Sequence, residues 1–303
     1  MTPAIRKRLI QIGFLALLPA IVLIACRFSA QQPASPTPAL QEEAVYHDIV
    51  YLDAPDADPN LNALDTYVPA GASSAPVLVF VHGGGWTQGD KSGVDSKLEA
   101  FNAAGYVFVS VNYRLSPAVM HPVHVQDVAA AIAWVYNNIA SYGGDPQQIF
   151  LLGHSAGAQI VALVATDERR LQAHSLDLSV IKGVVPLDGA GYDIPTRINS
   201  PTRGVEELYE TAFGTDPAVW IDASPLYHVA AGKNIPPFLL IYAGAREEAQ
   251  TQAEALAAAL GDAGATAELF HAPDKNHMTV NRDLAVGDYV FERMIEFYAG
   301  LQK

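Results

Sequence analysis

From residue 44 onward, apolar runs of strand length alternate with longer segments at helical period. This alternation constrains the fold more than any other feature. Strands joined by helix-length crossovers can pair in parallel, and the crossover helices then cover both faces of the sheet. The clearest strands are expected over 77–81, 107–111, 148–152, 181–187 and 238–243. They are rich in Val, Ile, Leu and Phe, as strands buried on both faces should be. Residues 62–68 and 266–271 are shorter strand candidates. Helices are expected over 93–104, 124–141, 156–166, 249–263 and 285–300. Gly105, Gly143-Gly144 and Gly264 lie just past helical runs, where a left-handed terminating residue is favoured. The expected fold class is α/β, a mostly parallel central sheet with helices on both faces.

With 303 residues, 50% apolar and 17% charged, the chain can bury a large core in one domain of ordinary size. A disordered or fibrous chain is excluded. A formal charge of -14 repels phosphate backbones, and no basic, aromatic-rich patch offsets it, so nucleic acid is not an expected partner. Alanine-rich stretches such as 129–133 and 253–259 fall at helical spacing and read as helix faces. No internal repeat is visible.

The first 25 residues read as a targeting segment: Arg6, Lys7 and Arg8 form a basic start, and Leu9 to Ala25 carries no charge. Gln11, Gly13 and Pro19 interrupt a run that is barely long enough to span a membrane, so length alone does not separate signal peptide from anchor. Leu23-Ile24-Ala25-Cys26 contains the only cysteine of the chain and resembles the lipobox of bacterial lipoproteins. That resemblance implies a mature chain beginning at Cys26, lipidated there and attached to a bacterial membrane outside the cytoplasm. Each buried CH2 of an acyl chain is worth roughly 0.8 kcal/mol, so several chains hold firmly. The segment 26–42, rich in Pro, Gln and Ser, reads as an extended tether. The folded domain is expected over 43–303.

A serine hydroxyl needs a base and oxyanion donors before it can act as a nucleophile. Gly153-His154-Ser155-Ala156-Gly157 follows an apolar strand and precedes an apolar helix, the context of a nucleophile elbow. The flanking glycines permit the strained turn and the close approach of strand and helix. Ser155 is the expected nucleophile. Upstream, the strand over 77–81 ends in His82-Gly83-Gly84-Gly85-Trp86, which resembles the oxyanion loop of esterases and hormone-sensitive-lipase-like enzymes. By that resemblance the N–H groups of Gly83, Gly84 and Ala156 face the oxyanion. His82 is expected to brace this loop, and Trp86 to line a substrate pocket or join the core.

Among nine histidines, His277 in Asn276-His277-Met278-Thr279 stands late in the chain, where the base of this fold belongs. His271 competes, but its place at a strand end suits packing, and Asp274 is left out of the site. Glu247, counted from Gly244 after the strand over 238–243, falls at the acid position of the resembled family. A glutamate can fix the imidazole tautomer there. Glu248 is the alternative acid, and Asp188 at the end of the preceding strand is a third candidate. Whichever glutamate is unused can simply begin the next helix, where negative charge is favoured.

Residues 189–232 break the alternation, with prolines at 195, 201, 217 and 225 and aromatics at 192, 209, 213, 220 and 227. Such an insertion suits a lid or pocket wall, with Tyr192 a pocket candidate, and equally an excursion packed on the sheet. Over about residues 60–300 the chain resembles α/β-hydrolase carboxylesterases, near the kynurenine formamidase-like branch. Asn112-Tyr113-Arg114-Leu115, Asp127 and Tyr142-Gly143-Gly144-Asp145-Pro146 match habits of that family. The Asp-Pro-Leu-x-Asp motif of the hormone-sensitive-lipase group is absent. The resemblance implies a cofactor-free and metal-free serine carboxylesterase for small acyl esters. An arylformamidase, a lipase and a non-catalytic binding protein on the same scaffold are the alternatives.

Overall fold

The computed structural model describes residues 43–199 and 204–302. The leader over 1–25, Cys26 and the whole of the tether over 26–42 lie outside them. The described chain runs β1 (Ala44–Val50), β2 (Ala63–Val68), β3 (Ala75–Val81), α1 (Asp95–Ala103), β4 (Val107–Val111), α2 (Val123–Asn138), β5 (Gly144–His154), α3 (Ala156–Thr166) and α4 (Arg169–Gln172). It continues through β6 (Ile181–Leu187), α5 (Ile194–Ile198), α6 (Val205–Phe213), α7 (Pro217–Asp222), β7 (Phe238–Ala243), α8 (Glu247–Asp262), β8 (Ala267–Ala272), α9 (Thr279–Arg282) and α10 (Tyr289–Leu301). The eight strands form one sheet in the order β1-β2-β4-β3-β5-β6-β7-β8. β1 and β2 pair antiparallel, β2 meets β4 antiparallel, and the rest is parallel. This is the α/β-hydrolase architecture.

The period of two in the strands divides the core cleanly. Val77, Val79, Val81, Ile149 and Leu151 face one layer, packed with Val128, Ile132 and Val135 of α2, Val161 and Val164 of α3 and Leu256 of α8. Leu78, Phe80, Phe150 and Leu152 face the other, against Phe101 of α1 and Phe291, Met294 and Tyr298 of α10. Uniform burial of the central strands follows from having helices on both sides. β1 is the exception. Most of its residues are exposed, and it pairs only with β2, at the sheet edge.

Arg114, leaving β4, forks onto Asp127 of α2 at 2.7 and 2.9 Å. Asp127 is buried, so this bidentate pair replaces its lost hydration and pins the strand exit to the helix. Asn112 accepts the Lys91 N–H at 2.6 Å and donates to Asp90 at 3.0 Å. The family-like residues around 112–127 therefore hold loops at the carboxyl ends of the strands, where sites form in open α/β sheets.

Candidate active site

Ser155 stands between β5 and α3 with φ 56° and ψ -114°, outside the ordinary regions for a residue with a side chain. The strain is held by close packing around it. A Cβ on Gly153 would lie 2.2 Å from the Gly157 carbonyl oxygen, and one on Gly157 would lie 2.2 Å from that of Val81. Only glycine fits either place, so strand and helix approach closely enough to push Ser155 outward. The Ser155 N–H donates to Leu187 O at 3.0 Å, tying the turn to the end of β6.

The Ser155 hydroxyl lies 3.0 Å from His277 Nε2. His277 comes from the turn after β8, and its Nδ1 lies 2.6 Å from Asp188 Oδ2. Asp188 is buried at the end of β6 with φ 50°, and its other oxygen accepts the Ala243 N–H at 3.0 Å. The structure therefore brings Ser155 and His277 together, as the sequence predicts, and replaces the expected acid. Glu247 is exposed on the first turn of α8, and neither it nor Glu248 hydrogen-bonds His277. The reason lies in the turn after β7. Gly244, at φ 56°, redirects the chain so that Arg246 lies inward against Asp188 while Glu247 faces solvent. Glu248 reaches only the two arginines, 3.5 Å from Arg246 Nη2 and 3.9 Å from Arg197 Nη2.

Burial alone pushes the Asp188 carboxyl up, but the hydrogen bond from His277 and the Arg246 charge outweigh it and hold it below the ordinary carboxylate range. Arg246 Nη1 also lies 2.6 Å from His277 Nδ1. Arginine can only donate and a carboxylate only accept. A proton on Nδ1 thus serves Asp188 and leaves Nε2 open to the serine proton. The opposite tautomer would turn Nδ1 toward Arg246 and leave Nε2 unable to act as a base.

Three other histidines have structural places. His154 Nε2 donates to the His277 carbonyl at 2.8 Å, and the two rings lie 4.7 Å apart. Burial, helped by His277, holds the His154 imidazole down to about 3, so it stays neutral at physiological pH. His82 stacks on Tyr113 at 4.5 Å and donates from Nδ1 to Gly83 O at 2.8 Å, bracing the glycine loop. His271 donates to Gly244 O and stacks on Tyr242. Asp274 meets Tyr289 at the surface.

Gly83 presses against the nucleophile turn, since a Cβ there would lie 2.9 Å from both His154 O and the Ser155 Cβ. The N–H groups of Gly83, Gly84 and Ala156 have no hydrogen-bond acceptor among the described residues. Two cavities meet at Ser155. An open cleft of about 580 Å³ runs between the glycine loop and Met278, and a narrower cavity of about 160 Å³ runs under Trp86. Trp86 is buried, donates to Gln159 at 3.0 Å and packs edge-on against Tyr209 and Phe213, so it is both core and wall. Arg197, Val205, Leu208 and Tyr209 of the insertion also line the narrow cavity, while Ile194, Tyr209 and Phe213 join the core. Tyr192 lines neither cavity and sits fully inside the core, a correction that follows from the close approach of its ring to Gly189.

Asp167, Asp222 and His228 lie close enough together to suggest a metal, but the two carboxylates are occupied by Arg169, Arg170 and His121. Among the described residues no helix is long and apolar enough to cross a membrane.

The sequence model of the BD-FAE family matches residues 64–260. The chain is 35% identical over 215 residues to esterase LipQ of Mycobacterium tuberculosis, covering 67% of this chain and 50% of LipQ. It spans half or less of the length of the curated relatives with the strongest matches. Among solved structures, the thermophilic esterase Est2 of Thermogutta terrifontis is 26% identical with a TM-score of 0.65, covering 85% of this chain and 92% of that one. A second structure, Thermogutta terrifontis esterase 2 phosphonylated by sarin, is 25% identical with a TM-score of 0.66, covering 86% of this chain and 94% of that one.

Proposed function

This chain belongs to the BD-FAE family, and on that premise we propose that it is a serine carboxylesterase acting on small acyl esters through an acyl-enzyme. The observation that carries the reading is the hydrogen-bonded chain from Ser155 to His277 to Asp188, at 3.0 and 2.6 Å. His277 Nε2 takes the hydroxyl proton as Ser155 Oγ attacks the ester carbonyl. The buried Asp188 carboxylate keeps the proton on Nδ1 and stabilises the imidazolium that forms. The tetrahedral oxyanion is received by the N–H groups of Gly83, Gly84 and Ala156, each such donor being worth roughly 3 kcal/mol of barrier. The imidazolium then protonates the departing alcohol. Water enters by the open cleft and gives a proton to His277 as it attacks the acyl carbon; His277 returns that proton to Ser155 Oγ as the acyl bond breaks and the acid leaves. The narrow cavity of about 160 Å³ supports a short acyl group, since it falls below the roughly 300 Å³ at which drug-sized pockets begin.

The test is fluorophosphonate labelling of the purified chain, with turnover of 4-nitrophenyl esters of increasing acyl length and of N-formylkynurenine. Labelling and best turnover on acetate to butyrate are expected. An unlabelled, inactive protein would point to a non-catalytic scaffold. Preference for the formamide, or a jump in rate on long-chain esters above their solubility limit, would replace the reading with an amidase or a lipase.

The proposal extends to the N-terminus. Leu23-Ile24-Ala25-Cys26 supports lipidation at Cys26 and tethering of the domain outside the cytoplasm. Cys26→Ser is expected to leave the chain unprocessed or in the soluble fraction. Membrane retention with normal maturation would overturn the anchor.

A further inference from the structure

The narrow cavity beside Ser155 is lined by two guanidinium groups, of which only Arg246 also pairs with the catalytic acid. Arg197 of α5 and Arg246 at the head of α8 both line it, together with Ser155, Ala156 and His277. The Arg197 side chain is only 8% exposed, and its buried Nε has no hydrogen-bond partner among the described residues. Its paired carboxylate, Glu248, stays 3.9 Å from Nη2 and is more loosely held still by its partial exposure. Arg246 gives Nη1 to Asp188 and reaches Glu248 only at 3.5 Å through Nη2. A buried guanidinium N–H left without an acceptor is costly, and its planar fork fits a carboxylate. Exposed acidic groups are largely screened beyond roughly 8 Å in physiological salt, and the buried carboxylate that lines the cavity, Asp188, is already paired with Arg246 and His277.

We propose that this cavity is an anion subsite and that the preferred substrates are half-esters of short dicarboxylic acids, held by their free carboxylate between Arg197 and Arg246. The inference rests on the serine-esterase reading. The acyl part occupies the narrow cavity, while alcohol and water use the open cleft of about 580 Å³. The bond from Ser155 Oγ to the ester carbon forms first, giving the tetrahedral oxyanion, and the bond to the alcohol oxygen then breaks. The alcohol leaves with the proton from His277, water then splits the acyl-enzyme, and the dicarboxylate departs with its free carboxylate unchanged.

The experiment compares kcat/KM for monoethyl succinate with that for ethyl 4-methylpentanoate, in which an isopropyl group replaces the carboxylate. The charged ester is expected to be favoured by roughly tenfold or more. Arg197→Gln should bring the ratio toward one, chiefly through KM, and Arg197→Lys should keep part of the preference while controlling for folding. A wild-type ratio at or below one, or a ratio unmoved in Arg197→Gln, overturns the subsite. Calorimetry of monoethyl succinate on Ser155→Ala, with and without Arg197→Gln, reads anion capture apart from cleavage. Binding that depends on Arg197 supports the subsite even if no ester is cleaved, in which case the esterase reading fails alone. No binding, or binding indifferent to Arg197, overturns the subsite while cleavage of the neutral ester leaves the esterase reading standing.

Discussion

Ser155→Ala is expected to lower kcat for ester hydrolysis by roughly a millionfold, to the level left by binding and oxyanion donors. Three observations make this loss specific to the hydroxyl. Among the described residues, its oxygen is the only serine oxygen within hydrogen-bond reach of His277 Nε2. The turn that carries it keeps its strained φ of 56° through the packing of Gly153 and Gly157, which the substitution leaves untouched. Alanine bears the same Cβ, so thermal stability should move little while fluorophosphonate labelling disappears. Hydrolysis surviving at the wild-type rate would mean that the 3.0 Å contact is not the reacting pair.

Asp188→Asn is expected to lower kcat by roughly ten-thousandfold with KM nearly unchanged, because the wrong tautomer of His277 is then favoured. An amide can offer its NH2 to Nδ1, which would place the ring proton on Nε2 and remove the base. Arg246, already 2.6 Å from Nδ1, would reinforce the same wrong tautomer. Glu247→Gln provides the contrast. Its side chain is exposed on α8, so rates should stay within about twofold, the range of surface substitutions. Steady-state kinetics on the two variants decide the acid. A severe loss in Glu247→Gln with a mild one in Asp188→Asn would reverse the assignment.

Most of the scaffold was legible because burial writes itself into composition. The central strands are apolar along their whole length, and β6, β7 and α3 begin and end where their sequence patterns change. β1 was not legible. Its residues Tyr46-His47-Asp48 face solvent at the sheet edge, so neither an apolar run nor a clean alternation marks it. Ser155 and His277 could be read because their neighbours are fixed by backbone demands: glycines that nothing else can replace, and a turn before a helix. The acid had no such marker. Counting from Gly244 gives a position along the chain, but the direction of a side chain there depends on the turn, and the turn aims Arg246 inward instead. Pro186-Leu187-Asp188-Gly189 did offer a cue, an aspartate ending a buried strand next to the nucleophile strand. Only the pairing of β5 with β6, and of β6 with β7, gives it weight.

The contact from His154 to the carbonyl of His277 has a mechanical consequence. His277 is carried on the turn leaving β8, the outermost strand on its side of the sheet, where thermal excursions are least restrained. Yet His154 immediately precedes Ser155 at the sheet's centre, and its 2.8 Å bond and ring contact moor the distant turn to that point. Attacking oxygen and accepting nitrogen then travel together, as two points on one rigid body. The gap between them is insulated from flexing of the outer strands.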